Sequence, residues 1–267
     1  MFVLDPINSI TSVNFYKKVS TQSGGRTAAY LLYVALLFAA VASVAVKLRI
    51  GPAIDQTFDW LQKSVPEMSL AEGKLTSATP MPVVLRHPDY ADMAVMIDTR
   101  RTDPVTPQML EDAKVEAYVA GNAIYMMQSR GELRVIDLSK STAERPMKID
   151  SAFFESSRRI LDRALYPVSF LMIFVVFILW KTAAAGFYSL VGMTINSSAA
   201  AHLSYGQILT LAVYAQTLVI LLQAIFLFMP VGMPVPSLVS LVVTSVYLWL
   251  AVKRIQQQSA PPPAPAA

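Results

Sequence analysis

The chain has no cysteine among its 267 residues. That removes disulfide frameworks, thiol nucleophiles and thiolate metal sites together. Charge is scarce as well: 15% of residues are charged and 54% hydrophobic, where a soluble domain carries roughly 25% charged residues. No long apolar run contains Asp or Glu, which leaves out the groups that proton-coupled carriers and intramembrane aspartyl proteases set against a cavity. The only histidines are His87 and His202. There is no G-x-S-x-G elbow, no H-E-x-x-H and no P-loop. Asp89, Asp92, Asp98 and Asp103 read as solvated loop carboxylates, and Asn196-Ser197-Ser198 as a linker. No enzymatic activity, cofactor or metal is expected.

What the chain does have is long apolar runs. Residues 27–46, 166–192, 205–228 and 235–252 are each nearly free of charge. A hydrocarbon core of about 30 Å takes about 20 apolar residues as a helix, so each run is a candidate span. The expected fold class is an α-helical membrane protein, with four transmembrane helices and a small α+β extracytoplasmic domain between the first and second. Residues 1–26 form a cytoplasmic segment, 27–48 the first helix, 49–164 the outer domain, 165–252 a three-helix block and 253–267 a disordered tail. The first run is long for a signal-peptide core, despite a cleavage-like Ala40-Val41-Ala42, and reads as an uncleaved anchor.

Charge sets the orientation. Residues 47–163 hold 16 Lys+Arg and 17 Asp+Glu, and the remainder holds six basic residues against Asp5 alone. Short positive segments belong on the cytoplasmic side, and long loops translocate largely regardless of charge. Both termini are therefore expected inside the cell membrane, with residues 49–164 outside and His87 and His202 on opposite faces. The lipid bilayer is the first partner. Other membrane or envelope proteins follow as unnamed partners, and nothing suggests nucleic acid.

Along the chain, Ile7, Ile10, Val13 and Tyr16 predict a short helix over 7–18 on the inner membrane surface. Gly51-Pro52 predicts a helix stop, with Ile54, Phe58, Leu61 and Val65 at helical spacing beyond it. Residues 82–86 and 93–98 read as strands. Thr106-Pro107 reads as a helix start. Residues 115–120, 123–128 and 133–138 read as a meander turning first at Gly121-Asn122 and then at 129–132. A helix over 151–165 places Phe153, Phe154, Ile160, Leu161 and Ala164 on one face, and a new span begins at Tyr166-Pro167. The outer turn 230–236 is uncharged. The tail 256–267 reads as disordered or polyproline-like.

Within the spans the polar residues form stripes. Thr210, Tyr214 and Thr217 share a face of the third span, with Gln216 and Gln223 seven apart. Ser237, Ser240, Thr244 and Tyr247 do so on the fourth. Such stripes pack helices through interhelical hydrogen bonds, or alternatively line a pathway for a small neutral solute. Ala185 and Ser189 make a small-xxx-small pair. Lys181, beside Trp180, is expected to snorkel to the inner surface. Trp249, Lys253 and Arg254 are the other interface anchors. Ser204 and Gln207 fit a capping box at the start of the third span.

Leu203-Ser-Tyr-Gly-Gln-Ile-Leu-Thr-Leu-Ala-Val-Tyr-Ala-Gln-Thr-Leu218 resembles the "L-S-Y-x-Q-L…Y-A-x-T-L" signature of a bacterial membrane family. That family is the domain of unknown function number eleven eighty-nine, related to the Yip-type multi-span fold. Glu72-Gly-Lys-Leu75 followed by Met96-Ile-Asp-Thr99 adds to the likeness, which covers nearly the whole chain. Where the pattern often has proline after Thr-Leu, this chain has Val219, so no proline kink carries over. The resemblance implies architecture and no catalytic residues. Some members are linked with maltodextrin utilisation, which implies accessory work near a transporter. The first expectation is thus a non-enzymatic scaffold or accessory of the inner membrane. The alternatives are a neutral-solute carrier or channel, and an outer-domain sensor of a ligand or peptide.

Overall fold

The computed structural model describes residues 3–90, 93–128, 131–140, 146–199, 202–229 and 237–259. The chain is mostly helical, with some sheet. It divides into two compact units: Met1–Leu48 with Leu165–Ala267, and Arg49–Ala164.

The first unit is helical. It contains α1 (Asp5–Thr11), α2 (Phe15–Ser20), most of α3 (Gly24–Ser64), most of α5 (Ser151–Ala199), α6 (Tyr205–Ala215), α7 (Thr217–Phe226) and α8 (Ser237–Ser259). Among the described residues, four stretches are long and apolar enough to cross a membrane: Gly24–Ser64, Ser151–Ala199, Tyr205–Phe226 and Leu238–Gln257. Their interior is made by Tyr16, Val19, Tyr30, Val34, Leu211, Tyr214, Leu248 and Val252. Phe38 of α3 stacks on Phe177 of α5 with ring centroids 4.0 Å apart. The outward faces are apolar too. On α5 the exposed residues include Val168, Leu171, Met172, Val176, Leu179, Phe187 and Leu190.

Several helix boundaries differ from the sequence reading. Gly51-Pro52 does not stop α3, and Pro167 does not open a new helix in α5. Proline removes one hydrogen bond from a helix interior and costs about 3 kcal/mol, so contacts beyond it must hold the helix. For α3 these are Arg158 to Asp55 at 2.6 Å and to Asp59 at 3.1 Å, with Trp60 packed among apolar sheet residues. The single N-terminal helix expected over 7–18 is two, and Ile7 is exposed while Asp5, Ser9, Tyr16 and Val19 are buried. Polar residues carry that burial, so an apolar period does not reveal it. The expected tail is helical as far as Ser259; residues 260–267 and the turn 230–236 lie outside the described residues. The third span is interrupted at Gln216, without any proline.

The second unit carries two sheets. One has the order β2-β1-β8, from β1 (Met68–Ala71), β2 (Lys74–Ser77) and β8 (Met147–Ile149). The other has the order β3-β4-β5-β6-β7, from β3 (Val83–Arg86), β4 (Ala94–Asp98), β5 (Ala117–Ala120), β6 (Ala123–Gln128) and β7 (Glu132–Asp137). Neighbours run antiparallel except β4 and β5, which are parallel and joined across α4 (Pro107–Ala113). Leu110 of α4 is fully buried against Ala94, Tyr118 and Tyr125. The expected meander is present and gains β4 on one side; residues 129–130 of its second turn lie outside the described residues. The β1–β2 hairpin turns on Glu72 and Gly73, both with positive φ, the conformation of a two-residue type I′ turn. A side chain on Gly73 would collide with the Ser139 backbone. The apolar face expected on 151–165 is not wholly covered, since Ile160 and Leu161 are exposed.

Candidate functional site

The family-like stretch 203–218 is built into the helical unit along its whole length. Ser204 accepts from the Gln207 amide, and the Gln207 side chain accepts from the Ser204 amide, which completes the capping box. Asn196 bonds the Leu203 backbone through both its oxygen and its nitrogen, closing the connection from α5. Ser189 donates to the Tyr205 hydroxyl at 3.1 Å. A side chain on Gly192 would strike Ile208, so the helices approach closely there.

The Thr210/Tyr214/Thr217 stripe faces α3 and the N-terminal helices. Thr27 donates to Thr210 at 3.2 Å. Thr217 donates to the Tyr214 carbonyl at 2.6 Å, so the 2.7 Å contact between Tyr30 and Thr217 has Tyr30 as donor. The Tyr30 and Tyr214 rings stack at 3.8 Å, and the Tyr214 hydroxyl donates to Gln22 at 2.8 Å. Tyr16 donates to the Ser9 carbonyl at 2.9 Å, and burial raises the pKa of its phenol above the ordinary value. Asp5, almost wholly buried, lies 3.5 Å from Arg26. Tyr247 donates to the Ile10 carbonyl and Arg254 to Asn14. Asp5, Ser9, Gln22, Arg26, Thr27 and Tyr30 are participants that the sequence reading missed. Only the single acid Asp5 within residues 1–48 and 165–267 could have pointed to them.

A second polar locus lies deeper. Lys181 is 4% exposed, not at a surface, whereas Trp180 beside it is 68% exposed. On α5 it falls near the midpoint of the exposed apolar residues, which run from Val168 to Met193. Its Nζ lies 5.4 Å over the Phe177 ring. Around it is a cavity of about 100 Å³ lined in part by Tyr188, Gln216, Gln223, Ser240 and Thr244. Gln216 Oε1 and Thr244 Oγ1 are buried there without a hydrogen-bond partner among the described residues. Gln216 donates its amide to the Ala212 carbonyl at the interruption between α6 and α7.

The predicted stripes therefore separate. Thr210, Tyr214 and Thr217 meet the N-terminal part of the unit, whereas Gln216, Gln223, Ser240 and Thr244 share the cavity with Lys181. The Ser237 side chain lies outside the described residues. Of the expected anchors, Lys253 stacks on Trp249 at 4.7 Å, and Arg254 is engaged with Asn14.

In the sheet unit, His87 is buried between Trp60 and Tyr90. Its Nδ1 accepts from the Asp89 amide at 3.1 Å, and Nε2 has no partner among the described residues. His202, exposed and with positive φ, sits in the α5–α6 connection. No cluster of three metal-ligating side chains occurs among the described residues. Asp98 caps the Arg100 amide and accepts from Tyr118 at 3.4 Å. Burial, and then the Asp98 charge, raise the Tyr118 pKa.

No curated protein and no solved structure matches the chain, so a Yip-type relation rests on the sequence signature alone. A family described as a protein of unknown function (DUF1189) matches residues 6–252. The capped, tyrosine-centred third span and the Glu72-Gly73 hairpin lie inside that match, and the chain belongs to the DUF1189 family.

Proposed function

We propose that this chain is a non-enzymatic, multi-pass protein of the bacterial inner membrane, acting as a scaffold or accessory to envelope or transport components. Its helical unit lies in the bilayer with both termini cytoplasmic, and residues 49–164 are extracytoplasmic. The observation that carries this reading is the fate of the Thr210/Tyr214/Thr217 stripe. Its hydroxyls and rings are engaged by Thr27, Tyr30 and Gln22, so they hold the assembly together. That weighs against the neutral-solute carrier, which needs this stripe and the Ser240/Thr244 stripe to face one lumen. The outward apolar band of α5, unusual for a protein in water, supports the bilayer as its solvent.

Affinity purification of the full chain from native membranes tests the scaffold reading. Stoichiometric recovery of one or more membrane or envelope proteins, lost when Tyr214→Ala loosens the unit, is the expected result. A chain that purifies alone and moves a neutral solute into proteoliposomes overturns it.

A further inference from the structure

Residues 1–48 and 165–267 contain one carboxylate side chain, Asp5, and it is engaged with Arg26. The helical unit therefore offers Lys181 no acidic side chain as a counter-charge. A buried ammonium without one is costly, and polar acceptors or a bound anion beside it offset that cost. The cavity beside it is small, at about 100 Å³, room for a few atoms when one water takes about 30 Å³ of liquid. Its walls supply hydroxyls from Ser240, Thr244 and Tyr188 and amides from Gln216 and Gln223. Thr244 Oγ1 is wholly buried and unused. An ammonium and hydroxyl donors lining one small, partly open cavity are the recognition chemistry of an anion.

We infer that Lys181, with Thr244 and Ser240, forms a binding site for one small monoanion, of the size of chloride or a short carboxylate, at mid-depth in the helical unit. The ammonium neutralises the charge, and the hydroxyls donate to the anion. Gln216 Oε1, an acceptor, accepts a hydrogen bond from an accompanying water or from the Lys181 ammonium itself. A larger or doubly charged anion is excluded by volume and by the single cation. The site is independent of the scaffold reading and stands or falls separately from it.

Trp180 lies on the rim of the same cavity and, with Trp60 and Trp249 replaced by Phe, gives a local fluorescence signal. The full chain, reconstituted in nanodiscs of neutral lipid in sodium gluconate, is titrated with sodium acetate, formate or chloride at constant ionic strength. The expected result is a saturable rise in melting temperature with a saturable change in tryptophan emission, absent with sulfate. Lys181→Met abolishes both responses, and Thr244→Val, which removes one hydroxyl, weakens apparent affinity about tenfold, or about 1.4 kcal/mol. Should Lys181→Met not fold, Thr244→Val and Ser240→Ala carry the test. Response to the carboxylates alone assigns a carboxylate site, and response to chloride as well assigns selection by size and charge. No saturable response in the unsubstituted chain overturns the inference, as does a titration unchanged by Thr244→Val and Ser240→Ala.

Discussion

The two units of this chain solve the same packing problem in opposite ways. In the sheet unit apolar side chains such as Leu110, Ile97 and Leu75 are hidden, and charged residues cover the outside, as water requires. In the helical unit hydroxyls and phenols are turned inward onto one another, while Leu171, Met172, Leu179 and Leu190 face out. Polar contacts there are glue between helices, and apolar bulk is the surface. The contrast teaches that exposure alone does not say what a residue tolerates; the solvent on the other side does.

The largest expected effect breaks that comparison directly. Leu179→Arg, at an exposed site near the middle of α5, should disfavour insertion by about 3 kcal/mol. Val135→Arg, at an exposed site on β7, should stay within about 0.5 kcal/mol. Measuring membrane-integrated yield of the two variants checks this, and equal yields would erase the distinction between the surfaces. Leu110→Ala should cost about 2–5 kcal/mol, seen as early loss of sheet signal on heating while the helical signal persists. Tyr214→Phe leaves the part-buried Gln22 oxygen without its donor, at a cost of about 0.5–1.5 kcal/mol. Trypsin should then cut faster at Lys17 and Lys18 in α2. Arg158→Gln should cost about 0.2–1 kcal/mol per ion pair, and less in high salt.

Much of this fold was readable in the sequence because local chemistry agreed with the final structure. Thr106-Pro107 starts α4, Gly121-Asn122 joins β5 to β6, and Ser204 with Gln207 caps α6. The misses share a cause in contacts made far along the chain. Pro52 signals a stop, yet Arg158, about a hundred residues later, holds the helix beyond it. The β1–β2 hairpin rests on Glu72-Gly73, a weaker turn signal than Asn-Gly, and its third strand, β8, has only three residues. The N-terminal helices bury Asp5 and Ser9, which no apolar period marks. Lys181 was expected at a surface, whereas its side chain is buried in the helical unit. Its cavity partners beyond α5 come from the α6–α7 junction, α7 and α8, and no spacing within one helix brings them together.

The smallest expected effect sharpens the water-facing side of the comparison. Ser139 donates through its hydroxyl and its amide to Asp137, and holds that carboxyl below the usual range. A depressed carboxyl contributes stability above its unfolded pKa that is lost as pH falls through the folded value. Ser139→Ala should therefore flatten the acid side of the stability profile of the full chain slightly, leaving neutral pH nearly unchanged. Carboxyl NMR of Asp137 would show its titration moving up.

The absence of cysteine allows a direct test of the central claim that residues 49–164 meet water outside while the apolar faces of the helices meet lipid. Arg100→Cys and Leu171→Cys, made singly, are exposed in intact cells with a permeable outer layer to a membrane-impermeant maleimide. Labelling of the first and protection of the second until detergent denaturation is the predicted result. Equal labelling of both, or labelling of position 100 only after lysis, would contradict the account.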